Sequence, residues 1–306
     1  MQVYCIYYCN SIAFVYTYFC LYLVYSTMKI AVVWKWWSGK SSMSRLLTQY
    51  LLNTNHKVCA IDSDHNMDFT DLLWYDFVSD TPTFKWLYDE LFLYLDESEH
   101  AKAREVIKKH LGHCKFFLDD MDEFSTKVLI SQWENLKIGV VWLGAEDVIG
   151  GGRCSHGMSN PLKVYLTLLD EWQRDVVVDG VAGVDMINFG LYHACDYLIT
   201  VVEPSRNSIK VAHQIKNLCE RSDVNYGFVV NKYQDNQYTH QIYEEFGDKV
   251  IGSIAFDDGL FAYDYAKVWS TVKDSIAHIY EEVKNYQWFS LVERVMKLES
   301  LKWAIV

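Results

Sequence analysis

Seven short, β-branched apolar runs follow one another from Met28 onward, each separated from the next by a stretch long enough to return the chain to the same edge of a sheet. The runs are Lys29–Val33, Lys57–Asp62, Lys137–Val141, Asp175–Asp179, Tyr197–Val202, Tyr226–Asn231 and Lys249–Ile254. Continuous apolar runs of this length suit strands covered on both faces, and the helix-like stretches Ser41–Asn53, Leu162–Trp172, Ser208–Arg221 and Gln237–Phe246 supply the crossovers. The expected architecture is a three-layer α/β fold, a mainly parallel sheet with helices on both faces, in a single domain over residues 28–306. Residues from about 71 to 135 are acidic and aromatic without a clear strand, and read as a helical insertion between the second and third strands. No internal repeat interrupts the pattern.

The first strand runs into Val33-Trp34-Lys35-Trp36-Trp37-Ser38-Gly39-Lys40-Ser41-Ser42 and then directly into an amphipathic helix. Gly39, Lys40 and Ser41 fill the last three positions of the phosphate-binding pattern G-x-x-x-x-G-K-[ST]. In such a loop the main-chain N–H groups wrap the phosphates, the lysine reaches the β- and γ-phosphates, the hydroxyl binds magnesium and the helix N-terminus adds its dipole. The expected nucleotide contacts are therefore residues 34, 36 and 37 through their backbone, with Ser38, Gly39, Lys40, Ser41 and Ser42.

Three indoles at Trp34, Trp36 and Trp37 conflict with that wrapping, because the loop needs close backbone approach and dihedral angles that bulky side chains resist. The chain holds 11 tryptophans and only 15 glycines in 306 residues, so glycine is about 5% against a usual value of about 7%. Trp74, Trp133, Trp142 and Trp269 are also expected at breaks between elements. One reading is that many of these tryptophans are glycines, encoded by UGA in an organism that decodes the codon that way; UGG at positions 34, 36 and 37 would end it. The other is a non-catalytic scaffold that keeps the fold and has lost the nucleotide.

The second strand ends in Asp62-Ser63-Asp64, and Asp175-Val-Val-Val-Asp179-Gly-Val-Ala-Gly183 delivers a further carboxylate at the end of a buried run. Carboxyl ends of strands in open α/β sheets form the ligand-binding edge. Asp179 is expected to hold magnesium through water, with the glycine-flanked turn after it as a flexible switch.

With glycine at 34, 36 and 37 the loop reads G-K-G-G-S-G-K-S, which resembles the deviant phosphate loop of the MinD/ParA-type P-loop ATPases with Lys35 as the signature lysine. The resemblance covers most of residues 28–290. It implies a homodimer that closes on ATP and opens on hydrolysis, Lys35 reaching the partner's nucleotide, Asp62 assisting the magnesium shell, Asp64 orienting the attacking water, and Asn231 of Gly227-Phe-Val-Val-Asn231-Lys232 contacting adenine.

Within that group, Asp179–Gly190 and Val201-Val-Glu-Pro-Ser205 are similar to the carbon monoxide dehydrogenase maturation ATPases, which load nickel. That branch binds metal across its dimer through a Cys-x-Cys pair. Here Gly150-Gly-Gly-Arg-Cys154-Ser-His156-Gly places histidine at the second position, so two Cys154–His156 pairs would make a four-ligand nickel or zinc site; a surface loop with no metal is the alternative. His110, His113 and Cys114 form a second candidate cluster, for which plain helical packing is the stronger reading.

A net charge of −12 disfavours a nucleic-acid partner. The stretch Thr271–Trp303 reads as one long helix whose Lys273, Lys284, Arg294, Lys297 and Lys302 are balanced by Asp274, Glu281, Glu282, Glu293 and Glu299, which leaves no basic face for lipid or DNA. A partitioning or positioning ATPase, which would want such a face, is thus the weaker alternative to a maturation factor acting on a client metalloenzyme. Residues 1–27 carry no charge and precede Met28 at the head of the first strand. They read as upstream sequence joined through a mis-chosen start, or else as a hydrophobic membrane anchor. Eight scattered cysteines fit reduced thiols and a cytoplasmic protein.

Overall fold

The structure is a computed structural model, and it describes residues 27–33, 38–64, 66–73, 81–98, 102–110, 114–119, 122–142, 160–170, 174–180, 191–262 and 264–286. Its centre is an eight-stranded sheet. The strands are β1 (Lys29–Val33), β2 (Lys57–Asp62), β4 (Leu129–Trp133), β5 (Leu136–Val140), β7 (Arg174–Asp179), β8 (Tyr197–Val202), β9 (Tyr226–Tyr233) and β10 (Val250–Ala255), in the order β10-β9-β8-β1-β7-β2-β5-β4. All neighbours run parallel except β4, which pairs antiparallel with β5 at one edge. A separate two-stranded pairing joins β3 (Phe116–Phe117) to β6 (Leu169–Asp170).

Every residue of β1, β5, β7 and β8 is buried, as expected of strands with cover on both faces. Helix α1 (Lys40–Asn53) lies against β1, β2 and β7, and the short helix α2 (Asp68–Leu72) packs on α1. Helices α3 (Tyr88–Tyr94), α4 (Ala103–Lys109) and α5 (Glu123–Val128) belong to the segment between β2 and β5, and α6 (Asn160–Leu168) packs on α4. Helix α7 (Arg206–Arg221) covers β8 and α8 (Gln237–Phe246) covers β9 and β10. A single turn, α9 (Asp258–Phe261), leads into α10 (Tyr265–Lys284), which returns across β10 to α1.

Helix starts follow side-chain capping where a small polar residue stands ready. Ser205, Asn236, Asp257 and Asp264 accept from the first-turn N–H groups of α7, α8, α9 and α10. Part of the aromatic content of the insertion is core: Phe84, Phe116 and Phe124 pack ring to ring with one another or with Tyr165 of α6 at centroid separations of 4.7–6.4 Å, while Trp86, Tyr94, Phe117 and Trp133 are exposed.

Four expectations are corrected. The segment read as wholly helical contains β3 and the edge strand β4, whose alternating burial over Leu129-Ile-Ser-Gln-Trp133 lacks the continuous apolar run that marks the inner strands. The helix read as Leu162–Trp172 ends at Leu168, because Leu169 and Asp170 leave it to pair with β3. Trp269 sits inside α10, partly buried against the core, rather than at a break. That helix opens at Tyr265, six residues before the expected start, and residues beyond 286 lie outside the description. Among the described residues no helix is long and apolar enough to cross a membrane.

Candidate functional site

The parallel register lines up the carboxyl ends of β1, β2 and β7. Val32 pairs with Asp179 and Asp62 also pairs with Asp179, so the two carboxylates leave adjacent strands at one level beside the end of β1. Gly39 begins α1 in the left-handed region (φ +84°), and a Cβ there would stand 2.3 Å from Asn231 Nδ2, so both the dihedral angle and the space call for glycine. Asn231 comes from the end of β9, and its Nδ2 donates to the Ser38 carbonyl at 2.7 Å, which ties the loop to the far side of the sheet.

Lys40 is held at the centre of this edge. Its Nζ donates to Asp179 Oδ2 at 2.7 Å and to Asp64 Oδ2 at 3.0 Å, and all three side chains are nearly closed to solvent. Ser41 Oγ donates to Asp179 Oδ2 at 2.9 Å, and Ser44 Oγ, one turn on, donates to Asp179 Oδ1 at 2.7 Å. Ser42 lies half-buried in the same first turn. Asp62 faces inward and is bound by the chain itself. Its Oδ1 accepts from Asp64 N at 3.0 Å, and its Oδ2 accepts from Thr70 N at 3.1 Å and Thr70 Oγ1 at 3.3 Å. Asp62 thus fixes the turn that carries Asp64 and anchors it to α2.

The charge pattern is unbalanced: three buried carboxylates surround one ammonium among the described residues. Burial works against the charge on Lys40, but Asp179, Asp64 and Asp62 outweigh it and raise its pKa. Burial raises the pKa of Asp62, with Asp179's charge adding to it; burial likewise raises that of Asp179, against the opposing pull of Lys40 and Ser44.

The structure therefore gathers Ser38, Gly39, Lys40, Ser41, Asp62, Asp64, Asp179 and Asn231. Lys35, Trp34, Trp36 and Trp37 lie outside the described residues, as do Cys154 and His156. Ser44 and Thr70 escaped the sequence reading. The available signal was position: Ser44 is four residues after Lys40 on the same helical face, and Thr70 lies in the short helix beyond a D-x-D turn. His110, a candidate with Cys114 for which helical packing is the stronger reading, has Nε2 against Glu97 Oε1 at 3.1 Å, while His113 is outside the described residues. Trp142, read as a misplaced glycine, is buried just after β5 and its indole donates to the Ser63 carbonyl at 3.0 Å, so the steric conflict argued for the loop is not repeated there.

The chain matches no protein-family model. In sequence it is similar to an ATP-binding protein of Methanocaldococcus jannaschii, 27% identical over 229 residues, covering 74% of this chain and 87% of that one. It is also similar to the carbon monoxide dehydrogenase accessory protein CooC of Rhodospirillum rubrum, 24% identical over 258 residues, covering 78% and 88%. Among solved structures it shares its fold with the septum site-determining protein MinD of Pyrococcus horikoshii in complex with Mg-ADP (TM-score 0.55, 19% identity, covering 85% and 97%). A putative plasmid partition protein of Borrelia burgdorferi bound to AMPPNP is similar to the same degree (TM-score 0.54, 17% identity, covering 84% and 99%). The fold is thus that of the MinD/ParA-type P-loop ATPases, and the sequence resembles CooC.

Proposed function

We propose that this chain binds and hydrolyses ATP as a cytoplasmic homodimeric switch, and that it serves the maturation of a metalloenzyme. The observation that carries the reading is the convergence of Lys40, Ser41, Asp64 and Asp179 at one sheet edge behind a glycine-started helix; the likeness to CooC supports the client side.

The groups at this edge that could ligate a metal are hard oxygens, hydroxyls and carboxylates, which suits Mg²⁺; Ser41 and Asp179 would hold the ion, with Asp62 supporting the site from behind. When bound, the ion would neutralise charge on the β- and γ-phosphate oxygens. Lys40 supplies the matching change within the chain. Its ammonium now satisfies Asp64 and Asp179, and incoming phosphate oxygens compete for it. Once Lys40 turns to phosphate, the Asp64 carboxylate is released to accept a hydrogen bond from water and aim it at the γ-phosphorus, where a P–O bond forms to water as the bond to the ADP oxygen breaks. Lys35 is assigned to the partner's nucleotide and Asn231 to the adenine side of the pocket.

This division of labour separates binding from turnover. Asp64→Asn keeps a side chain of the same shape at the turn, so Mg-ATP affinity measured by calorimetry is expected to stay within a few-fold, while phosphate release falls by roughly 10²–10⁴. Equal turnover in the variant would remove Asp64 from the reaction.

The metal side is proposed from sequence: Cys154 and His156 of two subunits as four ligands for nickel or zinc. Metal analysis of purified dimer should lose its bound transition metal on Cys154→Ser, and unchanged stoichiometry would rule the pair out.

A further inference from the structure

The residue that follows Asn231 sits in an unusual backbone conformation. At the end of β9, Asn231 pairs with Ile254 and Tyr233 pairs with Ala255, so Lys232 is one extra residue with no counterpart on β10. Such a β-bulge bends its strand and re-aims the side chains beside it. Lys232 lies at φ +56°, in the left-handed region that side chains resist. Five non-glycine residues take a positive φ among those described. Asn55, Asp96 and Asp223 are of the types that tolerate it, and Met67 precedes α2; Lys232 is the one within a strand.

The bulge is tethered from the neighbouring strand. Lys232 Nζ pairs with Glu203 Oε1, in the residue directly after β8, while β10 lies on the other side of β9. Asn231, immediately before the bulge, is 8% exposed and donates through Nδ2 to the Ser38 carbonyl at 2.7 Å. A carbonyl only accepts, so the amide nitrogen is the atom that faces Ser38, and Oδ1 is left as an acceptor. An acceptor in that place bonds the 6-amino group of adenine, and it meets no donor at the 6-oxo group of hypoxanthine.

We infer that Lys232 is a positioning residue for the base: its left-handed bulge, tethered by Glu203, keeps Asn231 with Nδ2 on the loop and Oδ1 toward the base, and so sets a preference for ATP over inosine triphosphate. The inference rests on the nucleotide reading of this edge and deepens it. The backbone angle carries the effect, and the ammonium secures the angle.

Two variants separate angle from charge. Lys232→Val and Lys232→Gly remove the same ammonium, but valine resists the left-handed conformation and glycine takes it freely. Affinities for the magnesium complexes of ATP and inosine triphosphate are measured by calorimetry. The parents are the full chain and its form carrying Trp34→Gly, Trp36→Gly and Trp37→Gly. The parent should prefer ATP by roughly tenfold, as one hydrogen bond to the base allows. Lys232→Val should bring ATP down to the affinity of inosine triphosphate, whereas Lys232→Gly should keep most of the preference. Affinity for inosine triphosphate should change little in either, and kcat at saturating ATP should hold while KM carries the loss. Equal losses for the two nucleotides, equal ATP losses in the two variants, or a nucleotide-binding parent with no base preference would overturn the role of Lys232 and leave the nucleotide reading standing. Absence of binding of either nucleotide to both parent forms would overturn the two together.

Discussion

Lys40→Met is expected to destabilise the nucleotide-free chain by about 3–5 kcal/mol at neutral pH, as well as abolish nucleotide binding. The stability loss comes from what the lysine leaves behind. Among the described residues its ammonium is the cation bonded to both Asp64 and Asp179, and its loss removes the positive charge that Asp62, Asp64 and Asp179 share. For a chain of this size the fall in Tm should be on the order of 10 °C. The pH dependence has a definite sign. Carboxylates whose folded pKa lies above the unfolded value hold protons that the unfolded chain has released, so stability falls as pH rises through that window. Removing Lys40 pushes these values further up, and the deficit of the variant should be largest near pH 7 and shrink as pH falls toward 4. Lys40 itself, with a raised pKa, contributes its full stabilisation below its unfolded value of 10.5 and loses it only in strong alkali.

Asp179→Asn is the control of opposite sign. It removes one of the three negative charges, and its amide still offers an oxygen to Lys40 and an N–H₂ to Ser44. The nucleotide-free variant should melt at or above the parent at pH 7 while losing turnover. Calorimetric melts of both variants at pH 7 and pH 4.5 decide the matter. Equal and pH-independent losses in the two would mean that packing, not charge, governs this edge.

The same charge count explains how much of the site could be read in advance. Buried apolar runs ending in aspartate announce both a central parallel strand and a carboxylate at its carboxyl end, and β2 and β7 fall where those runs place them. Gly-Lys-Ser announces the start of α1, since glycine takes the left-handed angle found at Gly39 without steric cost. What sequence could not give is partner choice. Asp62 and Asp64 are alike as letters, yet backbone N–H groups turn one inward and leave the other on Lys40. Ser44 and Thr70 are ordinary helix residues until the fold brings Asp179 and Asp62 to them. The edge strand β4 was hidden because only Leu129 of its five residues is buried, and β3 and β6 are two residues each, too short to carry a period.

The second large effect concerns the loop itself. Trp34→Gly, Trp36→Gly and Trp37→Gly together should raise affinity for Mg-ATP by at least about 100-fold over the chain as written, equivalent to roughly 2.7 kcal/mol. The flanking residues are already arranged for a nucleotide: Gly39 takes the left-handed turn, Asn231 secures the Ser38 carbonyl, and Lys40 is oriented toward the carboxylates that would share a cation. Main-chain N–H groups can converge on phosphate oxygens only if the intervening positions are free of bulk, because each requires either a positive φ or direct van der Waals contact with the ligand. Equilibrium binding of ATP to both chains measures the difference, and the parent codons supply an independent reading: UGA at the three positions means that the glycine chain is the natural one, whereas UGG with tight ATP binding by the tryptophan chain would defeat the steric argument. If the glycine chain also fails to bind, the fault lies beyond the loop, and the buried pairing of Lys40 with Asp64 and Asp179 becomes a permanent structural device that has replaced the nucleotide.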